Sequence, residues 1–169
     1  MTSYVAFLRG INVGGKSMLP MPELKLLCEK IGFLNVRTYI NSGNVLFESE
    51  LEEEVLIRKL EEALLRFMKN PIPVMVRSLE ELESVLEVNP FPKEDPAKVG
   101  VMFFGNLVPS DLLKEIIVGT EKVEISGREI YIYFPEGMGR AKLKFPKKME
   151  MGTVRNINTI GKLVGIDRE

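Results

Sequence analysis

Asn41-Ser42-Gly43-Asn44 lies between two short β-prone runs, Asn35 to Ile40 and Val45 to Phe47. A turn rich in Asn and Gly between two such runs is a hairpin signal. Strands joined this way must be antiparallel neighbours, which excludes an all-parallel, helix-sandwiched sheet. The flanking patterns extend the argument. Tyr4 to Leu8 reads as a strand, ended by Arg9-Gly10. Pro22 to Ile31 carries Leu24, Leu27, Cys28 and Ile31 at helical spacing and stops at Gly32, a natural residue for the position after a helix end. Ser49 with Glu52 reads as a capping box opening a helix with Leu56, Leu60, Ala63, Leu64 and Phe67 on one stripe. Asn70-Pro71 closes that helix, and Ile72 to Val76 is a further strand. The order β-α-β-β-α-β is that of the split βαβ unit.

A second pass begins after a capped helix at Ser78 to Leu86. It predicts a strand at Val99 to Phe104, a helix at Ser110 to Val118, and strands Lys122 to Ile125 and Glu129 to Phe134 around Ser126-Gly127-Arg128. A helix from about Arg140 to Met149, an extended Thr153-Val154 and a last helix from Asn156 complete it. The expected class is α+β: two ferredoxin-like (split βαβ) halves with mainly antiparallel sheets and an additional C-terminal helix. Residues 1–77 form the N-terminal half; residues 78–169 form the C-terminal half with a linking and a terminal helix. Asn89 to Pro96, dense in Pro and charge, reads as an ordered crossing loop between them.

Composition narrows the chemistry. Among 169 residues there is no His, no Trp and one Cys, Cys28. Without His, Ser-His-Asp and Cys-His catalysis are excluded, with most zinc and non-haem iron sites. Neither metal nor cofactor is expected. One cysteine forms no internal disulfide, which points to a reducing, cytoplasmic setting. Met1 to Leu8 has no basic leader pattern, and no apolar run approaches the roughly 20 residues of a membrane span, so no membrane role is expected. Net charge is -1, which favours no polyanionic partner overall. The charge is uneven, however. Acids crowd Glu48 to Glu62, while Arg140, Lys142, Lys144, Lys147 and Lys148 follow Met138 with no acid among them.

Gly10-Ile11-Asn12-Val13-Gly14-Gly15-Lys16-Ser17 matches the phosphate-loop pattern GxxxxGK[ST]. A working phosphate loop requires a helix starting at its Lys-Ser step, where Pro20 and Pro22 would interrupt the first turns. The segment therefore reads as a Gly-rich turn. In the split βαβ topology, strands one and two run parallel, so their C-terminal ends emerge together. Arg9, Asn12, Gly14, Gly15 and Lys16 would then stand beside Asn41, Ser42 and Asn44 as one polar rim. The alternative is that these residues satisfy their own turn backbones. Arg140 and Lys142 after Gly137-Met138-Gly139, and Arg155 and Asn156 before the last helix, form a second basic constellation at expected helix starts. There too the competing reading is a simple cap, by Asn156 or Thr153. Tyr39, Tyr131 and Tyr133 read as core or cross-strand residues rather than acids.

Tyr4-Val5-Ala6-Phe7-Leu8-Arg9-Gly10-Ile11-Asn12-Val13-Gly14-Gly15-Lys16 and Val36-Arg37-Thr38-Tyr39-Ile40-Asn41-Ser42-Gly43-Asn44-Val45 are recognisable as segments. With Gly32-Phe33, Asn89-Pro90-Phe91, Glu136 to Leu143 and Thr153 to Thr159, the chain resembles the uncharacterised bacterial family numbered 1697 among domains of unknown function. The resemblance spans essentially the whole chain and implies two ferredoxin-like parts. It implies no settled reaction. Ala141 stands where that family commonly has Ser, and Ile157 where an aromatic is usual, which weakens a hydroxyl role and a stacking role at those positions.

The expected function is binding of an anionic, phosphate-bearing ligand, either a small molecule such as a nucleotide or a nucleic-acid segment, at the Gly/Asn/Arg/Lys rim. Two alternatives stand beside it: a metal-independent enzyme on a phosphorylated small molecule, and a homo-oligomerising or partner-binding protein without catalysis. No residue identifies itself as base or nucleophile.

Overall fold

The computed structural model of the chain describes residues 1–13, 15, 17–40, 43–149 and 152–167, without the side chains of Lys148 and Asp167. It forms two compact units, Met1–Leu82 with Gly165–Glu169, and Glu83–Val164. The divide falls inside helix α3 (Leu79–Val88), and the loop 89–96 lies in the second unit.

The first unit runs β1 (Thr2–Leu8), α1 (Met21–Lys30), β2 (Leu34–Tyr39), β3 (Asn44–Ser49), α2 (Glu53–Met68), β4 (Val74–Ser78). Its sheet has the order β2-β3-β1-β4, with every neighbouring pair antiparallel. Both β1 and β2 are antiparallel to β3, so they share a direction and their ends emerge on one side. One face of the sheet, with Ala6, Leu8, Val45, Phe47, Val74 and Val76, packs on Leu24 and Cys28 of α1 and on Leu56, Leu60 and Leu64 of α2. Phe33 stacks on Phe47 with ring centroids 4.1 Å apart.

Two local expectations in this unit change. Phe67 leaves the α2 core stripe and is 47% exposed. Ser49 makes no capping box with Glu52: α2 starts only at Glu53, with Glu52 itself at the cap position, and Ser49 Oγ accepts the Leu51 N–H at 3.1 Å, leaving α2 without a side-chain cap. The box forms instead ahead of α3. There the Ser78 N–H donates to Glu81 Oε1 at 2.9 Å and the Glu81 N–H donates to Ser78 Oγ at 3.2 Å.

The second unit has β5 (Val99–Phe103), β6 (Lys122–Ser126), β7 (Glu129–Tyr133) and β8 (Thr153–Asn156), followed by α4 (Ile157–Asp167) as far as Val164. The sheet order, β6-β7-β5-β8, repeats that of the first unit strand for strand. Its crossovers do not. The helix expected at Ser110 to Val118 is a 3₁₀ segment, Ser110–Glu115. Ile116, Ile117 and Val118 are β-branched and ahead of Gly119, and Ile117 pairs with Lys144 as an isolated antiparallel bridge. The helix expected at Arg140 to Met149 is also not formed; 3₁₀ turns at Met138–Arg140 and Lys147–Met149 flank an extended stretch. Pro146 removes a helical N–H and clashes with the carbonyl one turn back, and Arg140, Lys144 and Lys148 would repel at i,i+4 spacing. Extended, the stretch lays Leu143 and Phe145 on the core of Met102, Ile116, Ile130, Ile132, Phe134 and Met149. Among the described residues no helix is long and apolar enough to cross a membrane.

Candidate functional site

The two Gly/Asn corners of the first unit meet. The Leu8 N–H donates to Gly43 O at 2.9 Å, tying the end of β1 to the turn that follows β2. Gly43 is in the left-handed region (φ 83°), and a Cβ built there would lie 2.8 Å from Ile11 Cδ1 and 2.9 Å from Leu8 Cβ. Only glycine allows this approach. Arg9 follows immediately, partly exposed, with its N–H spent on Pro73 O at 3.0 Å.

The asparagines of the rim are spent on these corners. Asn12 Oδ1 accepts the Leu19 N–H at 2.7 Å while its Nδ2 donates to Leu19 O at 2.9 Å, so the amide acts as a strand partner closing the 12–19 loop. Asn44 is fully buried, and its Nδ2 donates to Tyr39 O at 3.1 Å across the hairpin. Both do what turn asparagines commonly do. Gly15 is exposed with open space where a Cβ would stand. Gly14, Lys16, Asn41 and Ser42 lie outside the described residues. Helix α1 begins at Met21, with Pro20 at its cap, so no helix starts at the Lys-Ser step that a phosphate loop requires.

Of the five described non-glycine residues in the left-handed region, three lie at these corners, the other two being Asn35 and Lys69. Asn12 (φ 54°), Ser17 (φ 50°) and Ile40 (φ 52°) are non-glycine residues in the left-handed region, beside Gly10 (φ 71°), Gly15 (φ 75°) and Gly43 (φ 83°). A β-branched residue there is an outlier, and Ile40 is 50% exposed, so packing does not compensate it.

The second constellation lies in the other unit and separates into two parts. Arg140 and Lys142 are exposed, together with Lys144, along the extended stretch. Glu121 supports that stretch. It is 7% exposed and accepts the Lys142 N–H at 2.8 Å. Burial raises its carboxyl, but the N–H groups of Lys142, Glu121 itself, Leu143 and Gly119 outweigh it and hold the group below the usual carboxylate range. No local pattern marks Glu121 in sequence, because half of its partners come from a distant segment. Arg155 points into its own strand: its Nη1 donates to Thr153 Oγ1 and to Val154 O, both at 2.9 Å, and burial lowers the guanidinium to about 10. Asn156 caps α4, its Oδ1 accepting the Thr159 N–H at 2.8 Å. Tyr131, also buried, donates its hydroxyl to Val85 O at 2.8 Å. Among the described residues no group of three or more His, Cys, Asp or Glu side chains gathers as a metal site.

The family model described as "Protein of unknown function (DUF1697)" matches residues 1–131. The chain belongs to the DUF1697 family. The family agrees with the resemblance carried by the RGINVGGK and RTYINSGNV segments. A solved structure, that of the conserved bacterial protein SP0830 from Streptococcus pneumoniae, is similar to this DUF1697 chain over 97% of each, at 27% identity and a TM-score of 0.76. No curated protein matches it significantly.

Proposed function

We propose that the first unit binds a phosphate-bearing ligand, a nucleotide or a nucleic-acid segment, where the loop after β1 meets the turn after β2. The observation that carries this reading is the strain at Asn12, Ser17 and Ile40, gathered in two corners that a hydrogen bond and a glycine contact hold together. Each such residue costs on the order of 1–3 kcal/mol, and strain of this kind clusters at ligand clamps and active sites. Gly10 and Gly15 leave the backbone open to an incoming oxygen, and Arg9 supplies the charge. In this reading Asn12 and Asn44 shape the site and do not touch the ligand.

The test is a thermal-shift panel of pyrophosphate, nucleoside mono- and triphosphates and a short oligonucleotide. At least one stabilises the wild type, and Arg9→Ala weakens that compound by about 10- to 100-fold, the worth of a charge-assisted hydrogen bond. The free variant melts close to the wild type. A panel with no response, or an Arg9→Ala protein that binds as well as the parent, refutes the reading. A steep loss of oligonucleotide affinity with salt selects nucleic acid over a small ligand.

A further inference from the structure

Helix α2 carries Glu54, Arg58, Glu62 and Arg66 at successive i+4 positions, all exposed. Such a row is a ridge inclined to the helix axis, and two helices crossing at about −50° set their i+4 ridges side by side. The charge order in this row is self-complementary. Reversed against itself, Glu54 faces Arg66 of the second copy and Arg58 faces its Glu62, and the two-fold repeats both pairs. An isologous contact needs this property, and a random charged face does not have it.

Beside the ridge lies an apolar groove of about 310 Å³, lined by Leu27, Lys30, Ile31, Ala63, Arg66 and Phe67. Four apolar residues and two cations line it, with no acid. The groove lies at the C-terminal half of α2. Ahead of the N-terminal end stands Leu51, 39% exposed between Glu50 and Glu52. An antiparallel two-fold sets the N-terminal end of one copy's α2 over the C-terminal end of the other's, the end at which the groove lies. Phe67, 47% exposed and turned out of the core stripe, is covered by the same step.

We propose that this chain forms a two-fold dimer through antiparallel contact of α2, with the 54–58–62–66 row pairing on itself and Leu51 seated in the partner's groove. The occupant is a second copy because charge and shape on both sides of the contact come from this one chain.

Equilibrium sedimentation across a wide concentration range tests it. The wild type shows twice the chain mass, falling to one at high dilution. Arg58→Glu sets like charges against each other at both symmetric pairs and raises the dissociation constant by at least about tenfold. Adding Glu62→Arg restores opposite charges between copies while leaving like charges at 54/58 and 62/66 within each helix. The double variant therefore regains the dimer mass even as its helix is weakened, an outcome that pairing within one helix would not produce. Leu51→Ser loosens the dimer without touching the charged row. A wild type that stays monomeric at every concentration overturns the proposal. So does an Arg58→Glu protein that dimerises as well as the parent, or a double variant no better than the single one.

Discussion

Gly43 shows how one residue joins two distant segments. Its φ of 83° and the 2.8 Å approach of Ile11 Cδ1 to an added Cβ mean that Gly43→Ala meets both backbone and packing resistance. Leu8 Cβ, at 2.9 Å, lies close to the main chain and gives little. The expected loss is about 2–3 kcal/mol in urea unfolding, from overpacking plus the left-handed conformation. The Gly-Asn turn and its place beside the loop after β1 were both legible in the sequence; that Ile11 and Leu8 close on Gly43 was not, because no local pattern marks which side chains of that loop turn toward it. Asn12 and Asn44 illustrate the opposite limit. Asparagine in a Gly-rich loop is equally suited to a ligand and to its own backbone, and only the observed bonds to Leu19 and Tyr39 decide for the backbone. Arg155 likewise looked outward in sequence, yet its register opposite Val101 in a buried strand turns it toward its own neighbours.

Among elements, the strands and the first unit's helices followed their periodicity closely, and the misreadings were at helix ends and in the second unit's crossovers. A Ser with a Glu three residues later occurs at both Ser49 and Ser78. Both end a strand, but α3 starts at the residue after Ser78 while α2 starts only at Glu53, so only Ser78 stands at a cap position and forms the box. Ser78→Ala should therefore cost about 1 kcal/mol, while Glu52→Ala should leave stability nearly unchanged; chemical denaturation compares them. The stretch from Arg140 to Met149 was expected as a helix after the Gly137-Met138-Gly139 turn. A bridge to Ile117 and the carboxylate of Glu121 hold it extended instead. Glu121→Gln keeps the size of the side chain but weakens acceptance of the N–H groups of Gly119, Lys142 and Leu143. Amide exchange at Lys142 and Leu143 should accelerate in this variant while β5 and β7 keep their protection. The wild type should show the same local loosening in acid. A carboxyl held low contributes its stability above its unfolded pKa and loses it as pH falls through the lower folded one.

Over the whole molecule, the same strand order recurs in two units of unlike dress, one with crossover helices on its sheet and one with 3₁₀ turns and extended chain. Sheet order follows from hairpins and pairing, which leave local sequence marks; a crossover needs only to span the sheet and bury apolar side chains, and many backbones do that. Each unit also buries one weak acid. Cys28, beneath the first sheet, is pushed up to about 12 by burial and then by the nearby charge of Glu29. Tyr131, in the second, is raised well above the ordinary phenol by burial and then by Glu129. Both stay protonated in the folded state at pH values where the unfolded chain, with a thiol near 8.5 and a phenol near 10, has begun to release protons. The unfolded state then binds fewer protons, so stability falls as pH rises. The loss should begin near pH 9 with the thiol, and above pH 10 the phenol adds to it while Arg155, held near 10 in the folded state, acts in the opposite sense. Urea unfolding at successive pH values measures it. Cys28→Ala removes the first part of the slope, at the expense of a small cavity. Tyr131→Phe removes the second, with a fixed loss at every pH because Val85 O, in the last turn of α3, is left without its hydroxyl partner. If the alkaline slope survives in the double variant, the buried thiol and phenol are not its source. At neutral pH the same burial keeps Cys28 unreactive toward thiol reagents until the first unit opens.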